Sequence, residues 1–494
     1  MYLTQNQPQK VPVFNLKPPF LGETRGFYQV ESVTGCPQIP GELELRPYQR
    51  QAVTNWFGNN GRGTLKMATG SGKTITALAI ACELYQQIQL QVVIIVCPFR
   101  HLVAQWGREC QRFNLRPILA FEGVRSWQSE LATQLYNVRT DAQRFLAVVT
   151  TNQTLLSQGF QSQIPYLPER TLIIGDEVHN LGTPKLEESL PRRIGLRLGL
   201  SATPERHYDE EGTQSVFEYF GEVLQPELTL ADAIAQQALV PYYYHPLFIQ
   251  LTPEESRIYA KLTQKIGRIL LTRDRDSVSM DDWERSQDLT TLLVQRARLV
   301  GVAENKLVAL RELMAQRRHT THTLFYCSDG SPEPGGNLHL RQLQEVTRIL
   351  GTELGYRVST YTAETRLRDR EILRQQFEQG ELQGLVAIRC LDEGVDIPAI
   401  QTAVILASST NPRQFIQRRG RVLRPHPGKD YATIFDMIVM PPELDRQTFE
   451  FERNLLKKEL RRLIEFANLA VNADTCTSQL IDIHHRYGLG DYLV

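Results

Sequence analysis

The stretch Gly63-Thr-Leu-Lys-Met-Ala68, continued by Thr69-Gly-Ser-Gly-Lys-Thr74, decides the reading of this chain. A strand-like run passes through a loop holding Gly70 and Gly72 and enters a helix-like run, Thr74-Ile-Thr-Ala-Leu-Ala-Ile-Ala81. Strand, glycine-rich loop and helix in that order make a phosphate cradle, because glycine lets consecutive N–H groups bend toward an anion. The helix N-terminus adds about half a positive charge. Thr69 and Ser71 complete the loop. Lys73 is placed to reach the β- and γ-phosphates of ATP, and the Thr74 hydroxyl to ligate Mg²⁺. The strict pattern has glycine where Met67 stands, so a chance glycine turn is the competing reading of this stretch alone.

Downstream, strand and helix alternate. Strands are expected at Val92–Cys97, Leu146–Thr150, Thr171–Gly175 and Arg197–Leu200, with a helix over Phe99–Phe113 among the intervening segments. Alternation of this kind implies a parallel sheet covered by helices, with ligands at the carboxyl ends of the strands. The third strand delivers Asp176-Glu177-Val178-His179. Asp176 is a hard oxygen ligand for Mg²⁺, and Glu177 can orient and deprotonate an attacking water. The fourth delivers Ser201-Ala-Thr203, small hydroxyl residues that can bond His179 and couple this site to another. Upstream, Leu45-Arg-Pro-Tyr-Gln49 opens an amphipathic helix. Gln49 is a candidate adenine reader through its amide, with Arg46 beside it; an ordinary helix start is the alternative.

A second alternating region follows, with strands expected at His322–Cys327, Arg357–Tyr361, Gly384–Arg389, Thr402–Leu406 and Ala432–Phe435. It has no phosphate loop. It carries Gly394-Val-Asp396 and then Gln417-Arg-Arg-Gly-Arg-Val-Leu-Arg424, whose arginines read either as a solvated helix face or as a guanidinium set aimed across a cleft. The expected organisation is α/β. Residues 1–41 form a strap, 42–235 a first lobe, 236–315 a helical connector or arm, 316–440 a second lobe and 441–494 a helical extension.

Composition bounds the function classes. Lys+Arg and Asp+Glu both number 55, so a polyanion site must be a local basic groove. The 7 cysteines form no CxxC pair and read as reduced thiols, not a disulfide frame or a zinc site. The start, Met1-Tyr-Leu-Thr-Gln5, lacks a signal-peptide pattern, and runs such as Val92–Cys97 are too short to span a bilayer. A cytoplasmic or nucleoid-associated protein with no membrane partner is expected.

These stretches, in this order and spacing, resemble the superfamily 2 helicases and translocases. The resemblance covers Gln49, Ala68–Thr74, Pro98–Gln105, Thr150-Thr151, Asp176–His179, Ser201–Thr203, Gly394–Asp396 and Gln417–Arg424. Within that superfamily the chain looks like the XPB-type and type III restriction-type motors. Leu45-Arg-Pro-Tyr-Gln49, Asp-Glu-Val-His, the phrase Ala231–Tyr244 and the arginine tract point there. Unlike in XPB itself, neither a large N-terminal domain nor an Arg-Glu-Asp triplet in the first lobe is expected. The resemblance implies two RecA-like lobes with ATP and Mg²⁺ between them, and duplex or partly single-stranded DNA as the track. It implies Arg421 and Arg424 as arginine fingers, with Gln417 and Arg418 lining the same face and Gly394 and Asp396 linking nucleotide to track. It also implies nucleic-acid backbone contacts from Arg100, Thr151, Thr362 and Arg389.

The leading expectation is therefore a DNA helicase or translocase. One rival is a duplex translocase inside a restriction or phage-defence complex whose partner supplies nuclease or target recognition. The rival from another class is a catalytically silent nucleic-acid-binding scaffold. A nuclease reading of Asp288 and Glu304-Asn-Lys306 lacks the strand such a site needs. The arm near 250–315 carries Arg268, Arg273, Arg275, Arg296 and Arg298 and is expected to grip the duplex, Arg273 and Arg275 foremost.

Overall fold

A computed structural model of the chain describes residues 11–19, 33–206, 209–273, 287–328, 338–362, 364–388, 397–407, 412–442, 456, 460 and 462–487. It divides into two compact units, Met1–Ala233 and Ile234–Val494. Gly394, Asp396, Arg389 and Arg275 lie outside the described residues.

The first unit is built on seven parallel strands: β1 (Arg62–Met67), β2 (Val92–Cys97), β3 (Ile118–Ala120), β4 (Leu146–Thr151), β5 (Thr171–Asp176), β6 (Leu196–Ser201) and β7 (Val223–Leu228). Their order across the sheet is β3-β4-β2-β5-β6-β1-β7. β2, β4, β5 and β6 are buried along their whole length, which is why they read as unbroken apolar runs instead of alternating ones. Each Val, Ile or Leu so buried is worth about 1.5–3 kcal/mol of transfer free energy. β3 and β7 had no clear signal in the sequence. β3 has three residues, and β7 carries Pro226, which the sheet edge tolerates.

The second unit has six parallel strands: β8 (Tyr242–Gln250), β9 (Thr323–Tyr326), β10 (Val358–Tyr361), β11 (Gly384–Ala387), β12 (Thr402–Ile405) and β13 (Ala432–Met440). They are ordered β10-β11-β9-β12-β13-β8. Two parallel sheets flanked by helices are the two RecA-like lobes that the α/β reading expected.

The structure corrects that reading in one place. Residues 242–250, expected inside a helical connector, form an edge strand paired with β13 from Tyr242↔Ala432 to Gln250↔Met440. The aromatic run Tyr242-Tyr-Tyr244 suits a pleated, half-buried surface better than a helix. The helices Pro253–Arg273 and Gln287–Gly301 do follow it. Arg296, however, is buried, with its guanidinium over the Tyr259 ring and in reach of Thr263, so it is not offered to a nucleic acid.

The outer edge of β8 would leave unpaired backbone groups. The C-terminal segment covers it. The Asn472 amide accepts from Tyr244 N at 2.9 Å and donates to Tyr244 O at 2.8 Å, as a neighbouring strand would. Val471 N donates to Tyr242 O at 2.8 Å, and the Tyr242 hydroxyl to Phe466 O at 2.6 Å. Beneath, Arg462 pairs with Asp436 on β13 at 3.1 Å, both buried, and the Tyr244 hydroxyl donates to the same carboxylate at 2.9 Å.

Candidate active site

β5, β6 and β1 are consecutive neighbours, so their carboxyl ends lie side by side. The register pairs Asp176 with Leu200 and Leu200 with Leu65, and Lys66 with Ser201. Three stretches far apart in sequence are thereby brought to one sheet edge: the loop after Met67, the acids after β5 and the hydroxyls after β6.

The helix α2 (Lys73–Ile88) begins directly behind the loop, and α1 (Pro47–Gly58) flanks it. Gly70 and Gly72 have φ of 88° and 92°, the left-handed region open to glycine. Gly72 is needed for a second reason: a Cβ there would lie 2.6 Å from the Gln49 amide nitrogen. Met67, the departure from the strict pattern, ends β1 with its side chain in the core, so a bulky residue fits where the loop has not yet started to turn. The loop is braced internally. Ser71 Oγ donates to Ala68 O at 2.7 Å, the Tyr48 hydroxyl to Ser71 O at 2.5 Å, and Thr76 Oγ1 to Gly72 O at 3.1 Å. Lys73 Nζ lies at the loop, donating to Met67 O at 2.9 Å and Ala68 O at 3.4 Å. Thr69 is buried and Thr74 half-buried in the first turn of α2.

Gln49 is buried, and its amide is engaged at both ends. Oε1 accepts from Arg46 N at 2.9 Å, and Nε2 donates to Gly72 O at 3.3 Å. The structure therefore joins Gln49 and Arg46 to the loop through the start of α1.

Asp176 closes β5 largely buried, Oδ1 accepting from Glu177 N at 3.0 Å and Oδ2 from the indole N–H of Trp106 at 2.8 Å. Burial pushes its pKa up to about 6, the Glu177 carboxylate adds to that, and the Trp106 bond and the Lys73 ammonium act the other way. Glu177 sits at φ 48°, ψ 55°, a left-handed conformation that a non-glycine residue holds only where its surroundings impose it. It is held there by a network. Glu177 Oε2 accepts from Ser201 Oγ at 3.2 Å, His179 Nδ1 lies 3.2 Å from the same hydroxyl, and Thr203 N donates to it at 3.1 Å. Glu177, His179, Ser201 and Thr203 thus meet around one oxygen. Arg206 donates to the His179 carbonyl and at 2.6 Å to Asp209, securing the far side.

The fit to a magnesium nucleotide rests on this donor set. A buried carboxylate beside a second carboxylate favours a cation, and a left-handed glycine loop before a helix favours an anion.

Trp106 escaped the sequence reading, which stopped that motif at Gln105. It lies on α3 (Arg100–Arg112), 70 positions from Asp176. The pattern of buried Val103, Trp106 and Cys110 marks the inner face of this helix but not what the indole touches. Arg100 opens the same helix, exposed. Thr151 is buried and caps the following turn through Thr154 N at 3.1 Å. Thr362 stands after β10, its N–H donating to Thr365 Oγ1 at 3.1 Å.

In the second unit the arginine helix spans Pro412–Val422. Gln417, Arg421 and Arg424 are half-buried. Arg418 is turned inward instead, its guanidinium 4.9 Å from the Tyr326 ring and donating to Ala407 O at 2.9 Å. Arg419 is also internal and pairs with Glu465 of the C-terminal segment at 2.9 Å.

Two family models match the chain in succession. "Type III restriction enzyme, res subunit" covers residues 42–206, and "Helicase conserved C-terminal domain" covers 305–426. The chain is 27% identical over 404 residues to the "DNA 3'-5' translocase XPB2" of Sulfurisphaera tokodaii, covering 78% of this chain and 80% of that one. It is 25% identical over 422 residues to the "DNA 3'-5' helicase XPB" of Mycobacterium tuberculosis, of which it spans 64%. Among solved structures, the helicase domain of Pyrococcus furiosus Hef matches at TM-score 0.51 and 16% identity, covering 82% of this chain and 98% of that one. The Type ISP restriction-modification enzyme LlaBIII matches at TM-score 0.55 and 18% identity, covering 87% of this chain and 31% of that one. The two family models in succession, XPB relatives along most of the length and a pair of parallel-sheet lobes place this chain among the superfamily 2 helicases, on their XPB and restriction-enzyme branch.

Proposed function

We propose that this protein is an ATP-hydrolysing motor that moves along or unwinds DNA. The observation that carries the reading is the convergence of Lys73, Asp176, Glu177 and Ser201 at one edge of the first sheet. The names of its relatives, a DNA translocase and a DNA helicase, support DNA as the track.

In this reading the loop N–H groups and Lys73 bind the β- and γ-phosphates of ATP, with Thr69, Gly70, Ser71 and Gly72 shaping the cradle. Gln49 and Arg46 border the adenine. Thr74 and Asp176 would hold Mg²⁺, which when bound neutralises charge on the phosphate oxygens. Glu177, fixed by Ser201, takes the proton of the attacking water. His179 and Thr203 transmit the state of that carboxylate through the shared Ser201 hydroxyl. The second lobe contributes Arg421 and Arg424 to the transition state, with Gln417, Gly394 and Asp396 as further nucleotide contacts. Arg100, Thr362 and Arg389 contact the nucleic-acid backbone, and the arm carrying Arg273 and Arg275 grips the duplex, whereas the buried Thr151 caps the turn after β4 instead.

ATP hydrolysis measured in parallel with single-stranded DNA, duplex DNA and RNA tests this. Stimulation by DNA is expected; no turnover with any of the three would favour a silent scaffold. The restriction-type family match over residues 42–206 favours a second reading, a duplex translocase that does not unwind and works with a partner protein. Displacement of a triplex-forming strand without displacement of a duplex strand would select it.

A further inference from the structure

The arginine helix ends at Val422, and a helix end leaves carbonyls without intrahelical partners at its negative pole. Here the carbonyls of three successive residues are taken up. Val422 O accepts from Lys429 Nζ at 2.7 Å, Leu423 O from Val240 N at 2.8 Å, and Arg424 O from Lys429 Nζ at 2.8 Å. The same nitrogen lies 3.3 Å from Pro398 O, two residues beyond Asp396. Three carbonyls converge on this one nitrogen, which donates to them through its N–H groups.

Lys429 reaches this point by a tight return. Lys429 N donates to His426 O at 3.0 Å, and Gly428, at φ 76°, turns the chain back. The side chain is buried, and burial lowers its pKa to about 7, the Arg424 guanidinium acting in the same direction. A lysine placed so unfavourably for its charge is held for what its donors do.

We propose that Lys429 is a positioning residue for ATP turnover: it fixes the exit of the arginine helix, and with it Arg421 and Arg424, to the backbone that follows Asp396. The inference rests on the arginine-finger reading above. The Arg424 backbone is tied directly, and Arg421 lies one residue inside the tied Val422. Loss of the tie lets both guanidinia drift, and a misplacement of about 1 Å can cost about 10²-fold in rate.

The test is a double-mutant cycle between Lys429→Met and Arg421→Ala in the full chain, reading DNA-stimulated kcat, KM for ATP and the melting temperature. Lys429→Met keeps length and removes the donors. It is expected to lower kcat by about 10–10²-fold, with KM changed less than about twofold. Its effect is expected to be clearly smaller than additive in the Arg421→Ala background, because one of the two groups it positions is gone. Gly428→Ala strains the turn while a Cβ there meets nothing within 4 Å, and should show the same split more weakly. If Arg421→Ala turns over at the wild-type rate, the arginine-finger reading fails. If Arg421→Ala is slow but the Lys429→Met effect is additive with it, or Lys429→Met lowers melting while kcat per folded molecule is unchanged, the positioning role alone is overturned.

Discussion

Replacing Trp106 by Phe should weaken the use of Mg²⁺ without damaging the fold more than any comparable change. The indole N–H lies 2.8 Å from Asp176 Oδ2, and both groups are buried. Phenylalanine keeps an aromatic ring in the site and removes the donor. A hydrogen bond to a charged acceptor is worth about 1.5–3 kcal/mol, and about 1.4 kcal/mol is tenfold, so a carboxylate freed to rotate or protonate should lose about 10–10²-fold in effective cation affinity. Groups that orient a metal ligand from behind cost a similar factor when removed. The assay is ATP hydrolysis across a magnesium series at saturating ATP. The control is Trp56→Phe, because Trp56 is equally buried but donates to the Arg197 carbonyl at 3.1 Å, near the amino end of β6. Both variants should lose stability by well under the about 3–5 kcal/mol of truncation to alanine. Only Trp106→Phe should move the magnesium midpoint. Equal midpoints in the two variants would refute the assignment of Asp176 as a ligand oriented by Trp106.

Glu177→Gln should retain ATP binding and lose about 10²–10⁴ in turnover, whereas Lys73→Ala should weaken nucleotide binding as well; wild-type turnover in the first would remove Glu177 as the base. Reversing the charges at Arg273 and Arg275 should flatten the salt dependence of DNA affinity by about one log–log unit for each phosphate no longer neutralised, and an unchanged slope would leave the arm a spacer. Arg462→Met strands the buried Asp436 and should cost about 3–5 kcal/mol in a urea melt; a loss near zero would mean the C-terminal segment is only loosely seated. Lys429 has a folded pKa of about 7 against an ordinary 10.5, so between these values the unfolded chain binds the extra proton. Stability should therefore rise with pH from about 7 upward, and melting temperatures of Lys429→Met should lack that rise.

The parts of the site carried by contiguous residues were legible in the chain. Gly70, Gly72, Lys73 and Thr74 form a cradle by local backbone geometry, and Asp176 and Glu177 follow an apolar run long enough to be only a buried strand. Their convergence on one sheet edge was inferable because parallel sheets put their chemistry at the carboxyl ends of strands. Other contacts join residues 70 and 31 positions apart, Trp106 to Asp176 and Lys429 to Pro398. No periodicity encodes such pairs, since each partner looks like ordinary packing or an ordinary turn in its own segment. The same holds for Tyr242–Gln250, whose strand form is decided by the β13 edge it pairs with and by the Asn472 amide that covers its other side. It holds too for Arg418, expected on the nucleotide face, and Arg296, expected on the duplex-gripping arm, which are drawn inside by Tyr326 and Tyr259. Sequence determines a local conformation where the backbone's own hydrogen bonds and sterics suffice. Where a polar group's partner comes from a distant segment, only the packed structure decides whether it faces solvent, substrate or core.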